Sequence, residues 1–159
     1  MFEPFVRPAR AEDATALSGL AVSSKAHWGY TAEQMAVFQG ELTLTGDDLA
    51  GADAYVLEDP VRGPFGFYTL IPSGPGTLEI QHLFVAVDRL RQGLGGALLD
   101  HACRRATSLG AARLVVQSDP NAEGFYAAHG GRVLERIASS IPGRTIPWME
   151  LALLPPGGD

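Results

Sequence analysis

Apolar residues along the chain repeat at two different spacings, and the switches between them mark out the expected elements. Branched and aromatic residues crowd Leu78 to Val85 (LEIQHLFV), a run too short for a typical helix and therefore read as a strand. Ahead of it, Ala54 to Glu58 and Pro64 to Ile71 have strand composition on either side of a turn around Asp59 to Gly63, which predicts a hairpin. Pro72 to Gly76 is another turn, so these three strands should form an antiparallel meander. Phe5 to Arg7 reads as a short first strand closed by Pro8.

Helical spacing takes over elsewhere. Ala14, Leu17 and Ala21 share one face of a helix within residues 9–28, and Glu12 and Asp13 stand where its dipole favours negative charge. Thr31 caps a second helix over Ala32 to Leu42, with Gln34 placed to complete a capping box. A third runs from Leu94 to Leu109 and is stopped by Gly110. Arg113 to Gln117 (RLVVQ) then reads as a buried strand, and Asp119 before Pro120 starts a short helix that carries Phe125 and Tyr126. Arg132 to Ser139 and Pro147 to Leu153 are the expected final strands, separated by the turn SIPGR. The pattern predicts a mixed α/β chain with a single domain over residues 1–154 and a loose tail over 155–159.

One stretch carries more than fold information. In RLRQGLGGALL, residues 89–99, Gly93, Gly95 and Gly96 crowd the turn from the strand into the third helix. Glycines there permit unusual backbone angles and close approach of a ligand, while the first helical N–H groups have no partner inside the helix. With the dipole added, such a turn suits a phosphate or pyrophosphate, although a plain tight turn uses the same glycines. A Walker loop is excluded because Ala97 and Leu98 follow the glycines in place of Lys and Ser or Thr. Leu98 also breaks a dinucleotide fingerprint counted from Gly93.

Composition narrows the class of partner. The 159 residues carry a net charge of −6 with a pI of about 5.1, so non-specific binding to nucleic acid is electrostatically unfavourable and none is expected. The single cysteine, Cys103, rules out an internal disulfide framework and a multi-cysteine metal site; no metal is expected. MFEPFVRP is unlike a signal peptide, and no apolar run approaches the ~20 residues that span a bilayer, so a cytoplasmic protein without membrane contact is expected.

LFVAVDRLRQGLGGALL resembles the central strand, coenzyme loop and helix of the GCN5-related N-acetyltransferases, whose loop is usually written Q/R-x-x-G-x-G/A. With Gly93 and Gly95 as the motif glycines, the leading position falls on Leu90, flanked by Arg89 and Arg91. AEGFYAAHGG is similar to the family's A-x-x-x-Y-x-x-x-G segment, and VRPARAEDATALSGL to its first strand and helix. The resemblance covers about Phe5 to Leu153. It implies a mostly antiparallel sheet splayed at its centre and flanked by helices, with acetyl-CoA as acyl donor and direct transfer to an amine in a ternary complex. It leaves a homodimer open, and a coenzyme A-binding sensor or partner module without turnover is the alternative.

The same resemblance distributes roles. Leu83, Phe84 and Val85 on the strand, Arg91, Gln92, Gly93, Leu94, Gly95 and Gly96 in the loop, and Asn121 and Tyr126 beyond it would contact the coenzyme. Tyr126 takes the position of the acid that protonates the departing thiolate, chemistry suited to a phenol with an ordinary pKa near ~10; a core-edge tyrosine is the other reading. Glu79 takes the position of the general base, a structural polar residue or an acceptor contact being the other readings, and strand alternation puts Gln81 on its face and Ile80, His82 and Phe84 on the other. His82 has the better intrinsic pKa and would serve if a bulge reversed the alternation. His27, Trp28 and Tyr30, in KAHWGY between the first two helices, either line an acceptor pocket with Gln81 or form an apolar plug with wet edges.

Overall fold

The computed structural model describes residues 5–89 and 92–153. Its elements are β1 (Phe5–Pro8), α1 (Ala14–Ala26), α2 (Ala32–Leu42), α3 (Gly46–Ala50), β2 (Asp53–Asp59), β3 (Gly63–Pro72), β4 (Thr77–Val85), α4 (Leu94–Ser108), β5 (Arg113–Gln117), α5 (Glu123–Ala128), β6 (Arg132–Ala138) and β7 (Thr145–Leu151). Short 3-10 turns over Ala11–Asp13, Val87–Arg89 and Pro120–Ala122 lead into or follow them. The strands form one seven-stranded sheet in the order β1-β2-β3-β4-β5-β7-β6. β2, β3 and β4 are joined by turns too short for a crossover, so they run antiparallel as a meander. β4 and β5 are parallel and are connected through α4. The mixed α/β class and mostly antiparallel open sheet expected from the sequence are what the chain forms.

Contacts divide the chain into two units: one up to Thr69 together with His82–Leu98, the other Leu70–Gln81 together with the chain from Leu99 onward. In the first, Leu17 and Ala21 of α1 and Phe38 and Leu42 of α2 are buried with Val56 and Phe67 of the sheet. Each large side chain so buried is worth roughly 1.5–3 kcal/mol. Thr31 and Gln34 form the expected capping box at the start of α2, at 3.1 and 3.0 Å. α3 has no counterpart in the sequence reading, since five residues are too few to show a period; Thr45 and Asp48 cap it reciprocally, at 3.0 and 2.8 Å. Arg7 forks between Asp13 and Glu58 and ties β1, β2 and the start of α1 together. Its hydrogen bonds hold both carboxyls below the usual range.

In the second unit β5 lies between β4 and β7, and Leu114, Val115 and Val116 are buried on both faces, as a continuous apolar strand requires. α4 covers the sheet with Leu99, Ala102 and Ala106 and ends at Ser108, with the expected stop, Gly110, two residues on at φ +86°. β6 is the edge; it is largely exposed, carries Arg132, Glu135 and Arg136, and shifts register between Val133 and Glu135, features that discourage edge pairing with another chain. β7 begins and ends earlier than the sequence suggested, because the turn before it closes through Arg144, whose N–H donates to Ile141. The expected loose tail lies outside the described residues.

Candidate active site

In the first unit, the glycine loop follows β4 and a 3-10 turn. Gly93 has φ +75°, a left-handed conformation that disfavours a side chain, and a Cβ there would meet nothing within 4 Å. Its carbonyl accepts the first α4 hydrogen bond, from Ala97 N–H at 3.1 Å. The N–H groups of Leu94, Gly95 and Gly96 therefore precede the helical ladder, next to exposed Gln92 and Gly93. A helix N-terminus of this kind suits a phosphate group. Leu90 and Arg91 lie outside the described residues.

Charged groups hold the loop's leading edge. The Asp59 carboxylate is wholly buried and takes Arg89 Nη2 at 2.7 Å, while Val61 and Arg62 N–H donate to its other oxygen at 2.8 and 3.1 Å. Burial pushes the carboxyl up, but the two turn N–H donors and Arg89 outweigh it and hold it below the ordinary range. Arg89, which flanks the leading loop position, thus directs its guanidinium to Asp59 and across the face of Phe65, 4.7 Å from the ring centre.

β4 alternates as expected over its central residues: Glu79 is half-buried, Ile80 buried, Gln81 exposed and His82 buried at 7% exposure. Past His82 the phase changes, with Leu83 and Phe84 half-buried and Val85 buried. The Val85 carbonyl accepts from Ser24 of α1 at 3.0 Å. His82 stacks among Phe67 and Phe84. Its Nε2 is 2.9 Å from the Glu41 carbonyl, an obligate acceptor, so this nitrogen carries the proton and Nδ1 accepts from the Thr69 hydroxyl at 2.8 Å. Burial lowers its pKa, which favours this neutral form. Tyr30 packs edge-on against Phe38 at 5.0 Å, with Lys25 over both rings, whereas His27 and Trp28 are exposed and meet edge to face at 5.2 Å.

The second unit holds the other candidates. Glu79 is opposite Val115 in the parallel ladder, and Gln117, on the same face of β5, donates to its Oε2 at 3.2 Å. Burial raises the Glu79 pKa, and hydrogen bonds from Gln117 and Ser73 oppose the rise. The ladder between β4 and β5 stops at Ile80↔Val116, although β4 continues to Val85. Asp119 caps the next turn by accepting from Asn121 N–H at 2.8 Å, and the Asn121 amide reaches the same oxygen at 2.9 Å.

Tyr126 is fixed by the end of its helix. Gly130, at φ +89°, donates to the Ala127 carbonyl and Gly131 to the Tyr126 carbonyl at 2.8 Å, the paired bonds of a Schellman ending. A Cβ on Gly131 would come within 2.8 Å of that carbonyl oxygen, so only glycine fits. The Tyr126 side chain is 5% exposed, and no buried side-chain polar atom among the described residues lacks a hydrogen-bond partner. Burial, with a contribution from Cys103, holds the phenol protonated well above its ordinary pKa. Burial also pushes Cys103 up to about 11, which suppresses a nucleophilic thiolate.

The sequence reading missed Gln117, Ser73 and Thr69 as partners; only a polar residue ending the apolar run RLVVQ hinted at the first. Among the described residues no group of three or more His, Cys, Asp or Glu is placed to hold a metal, and no helix is long and apolar enough to cross a membrane.

The acetyltransferase (GNAT) domain family matches residues 50–130, just over half of the chain. The protein belongs to the GNAT family. Its general activity is therefore acetyl transfer. A GCN5-related N-acetyltransferase from Rhodopseudomonas palustris is 25% identical, with a TM-score of 0.74 over 96% of this chain and 98% of that one. A GNAT family acetyltransferase from Brucella melitensis, solved with acetyl-CoA, is 17% identical with a TM-score of 0.68, covering 98% and 92% of the two chains. The PaiA N-acetyltransferase from Thermoplasma acidophilum, solved with coenzyme A, is 16% identical with a TM-score of 0.70, covering 94% and 98%. At these identities the last two show a shared GNAT fold. No curated protein matches the sequence.

Proposed function

We propose that this GNAT protein transfers the acetyl group of acetyl-CoA to a primary amine of a small molecule or peptide, by direct attack while both are bound. The observation that carries the reading is Tyr126: a buried phenol, kept protonated by that burial, on a helix whose end is fixed by Gly130 and Gly131. A phenol that stays protonated at neutral pH is suited to donate a proton to a thiolate leaving group.

The N–H groups at the start of α4, with Gln92 and Gly93, would hold the coenzyme's pyrophosphate, and the main chain of Leu83 to Val85 its pantetheine arm. Asn121 would approach the same arm only by sharing or leaving its bond to Asp119. An amine arrives largely as ammonium at neutral pH, so a base must remove a proton before nitrogen attacks the thioester carbonyl. Glu79 takes that part. Its burial raises its proton affinity toward a useful range, whereas the lone pair of His82 is already occupied by Thr69. As the C–S bond breaks, the Tyr126 hydroxyl donates its proton to the sulfur. The high pKa of Cys103 argues against an acetylated cysteine. Exposed Gln81, His27 and Trp28 are available to an acceptor, whereas Tyr30 is engaged with Phe38.

The reading is tested by following free thiol in the presence of acetyl-CoA and a panel of amines. Thiol and acetylated amine should appear in equal amounts, and only when both substrates are present. A burst of thiol before any amine is added would refute direct transfer.

A further inference from the structure

Strand register in the second unit sorts its side chains onto two faces. Along β7, Pro147, Met149 and Leu151 are buried, whereas Ile146, Trp148 and Glu150 alternate with them and are half-buried. α5 packs on the Met149 face: Arg136, opposite Pro147, forks onto Glu123 of that helix at 2.8 and 3.0 Å. The other face carries different chemistry. Gln117 is opposite Trp148, and Trp148 is opposite Glu135. Glu79 is opposite Val115, which shares a face with Gln117 two residues on, and the Gln117 amide donates to Glu79 Oε2 at 3.2 Å. A row of Glu79, Gln117, Trp148 and Glu135 therefore crosses β4, β5, β7 and β6 on the face away from α5, within one unit.

Charge on this face is unevenly shared. Arg113 and Arg132 both meet Glu150, at 2.7 Å each. Glu135 is exposed and forms no ion pair among the described residues, and Trp148 meets no other ring or cation there. With Tyr126 carried by α5 on one face, Glu79 on the other marks the side from which an ammonium reaches the base. We propose that this second face is the acceptor site and that it selects an amine with a second positive charge, a linear diamine, whose far ammonium sits over the Trp148 indole beside Glu135. The proposal rests on the acetyl-transfer reading above. Two strand spacings, about 10 Å, separate Glu79 from Trp148, a span within reach of an eight-carbon chain. An indole face attracts a cation, the adjacent carboxylate adds to that attraction, and a net charge of −6 draws dications from solution.

The chain has two tryptophans, so Trp28→Phe, at an exposed site, assigns both indole N–H signals in nuclear magnetic resonance. The full chain is titrated with a linear eight-carbon diamine and with octylamine, which lacks the far charge. The diamine should shift the Trp148 signal saturably and bind about tenfold more tightly than octylamine. Glu135→Gln, exposed on the edge strand, should weaken the diamine about two- to fivefold, and Trp148→Leu about fivefold or more. Asp100→Asn removes the same charge from an exposed site on α4 and should leave the preference as in the parent. Equal affinity for the two amines, a shift confined to Trp28, or parent-like diamine binding by Glu135→Gln would overturn the proposal; the last decides even if Trp148→Leu fails to fold. Turnover separates this proposal from the reading beneath it. A parent that acetylates both amines with equal kcat/KM sustains acetyl transfer and overturns the diamine preference. A parent that binds the diamine at Trp148 yet releases no thiol from acetyl-CoA defeats acetyl transfer, and the acceptor role with it.

Discussion

The proposed coenzyme loop and the proposed proton-handling residues are built on opposite electrostatic plans. Around the loop, charges are paired: Arg89 with buried Asp59, Arg62 with Asp88, and each carboxylate oxygen of Asp59 with a donor. Around Tyr126 and Glu79 burial dominates, no opposing charge acts on either among the described residues, and both pKa values rise. Ion pairs tie together the two turns that precede the loop. A proton-transfer site needs groups whose proton affinity differs from that in water, and burial without a counter-charge provides that. A charge partner beside Glu79 would pull its pKa back down and weaken it as a base.

That contrast is broken most severely at Tyr126. Tyr126→Phe removes the donor and keeps the ring, so kcat should fall roughly 100-fold, the lower end for general acid catalysis, with acetyl-CoA affinity unchanged in calorimetry. Parent-like turnover would remove Tyr126 from the acid role. Glu79→Gln should lower the rate about tenfold to 100-fold at neutral pH and recover as pH rises and the amine deprotonates itself. In the parent, the acidic limb of the rate profile should lie above the ordinary carboxylate value of 4.5, because burial raises this group. A variant profile superimposable on the parent's would contradict the base assignment.

Smaller effects sharpen the structural half. Gly131→Ala places a Cβ 2.8 Å from the Tyr126 carbonyl and should destabilise the fold by about 1–3 kcal/mol, read as a lower urea midpoint. No change in midpoint would show that the ending of α5 is less constrained than its geometry indicates. His82 gives the mildest prediction. Its pKa is lower folded than unfolded, because burial disfavours the charged ring. Its contribution to stability is therefore complete above the unfolded value of about 6.5 and declines as pH falls toward the folded one. Urea midpoints should drop as pH falls below about 6.5, ahead of the carboxylates, and His82→Gln should flatten that segment.

Sequence legibility follows the range of the interactions concerned. α2 was readable to its ends because Thr31 and Gln34 are three residues apart, and β5 because an apolar run bounded by polar residues is a local signal. α3 was lost because only its capping pair, Thr45 and Asp48, marks it. At the site, Gly93 and the alternation of Glu79 and His82 were legible from spacing alone. The engagement of Arg89 was not, since Asp59 is 30 positions away, nor was the bond from Gln117 to Glu79 across 38. Tyr126 was legible as a motif position. Its burial depends on how α5 packs, which no local pattern encodes.

The most direct measurement is a calorimetric titration of the purified protein with acetyl-CoA, with ATP and NADH as controls. Saturable acetyl-CoA binding at one site, with neither nucleotide competing, is the expected result. No binding, or a preference for either nucleotide, would mean that the loop with Leu90 at its leading position has kept the GNAT fold without its donor.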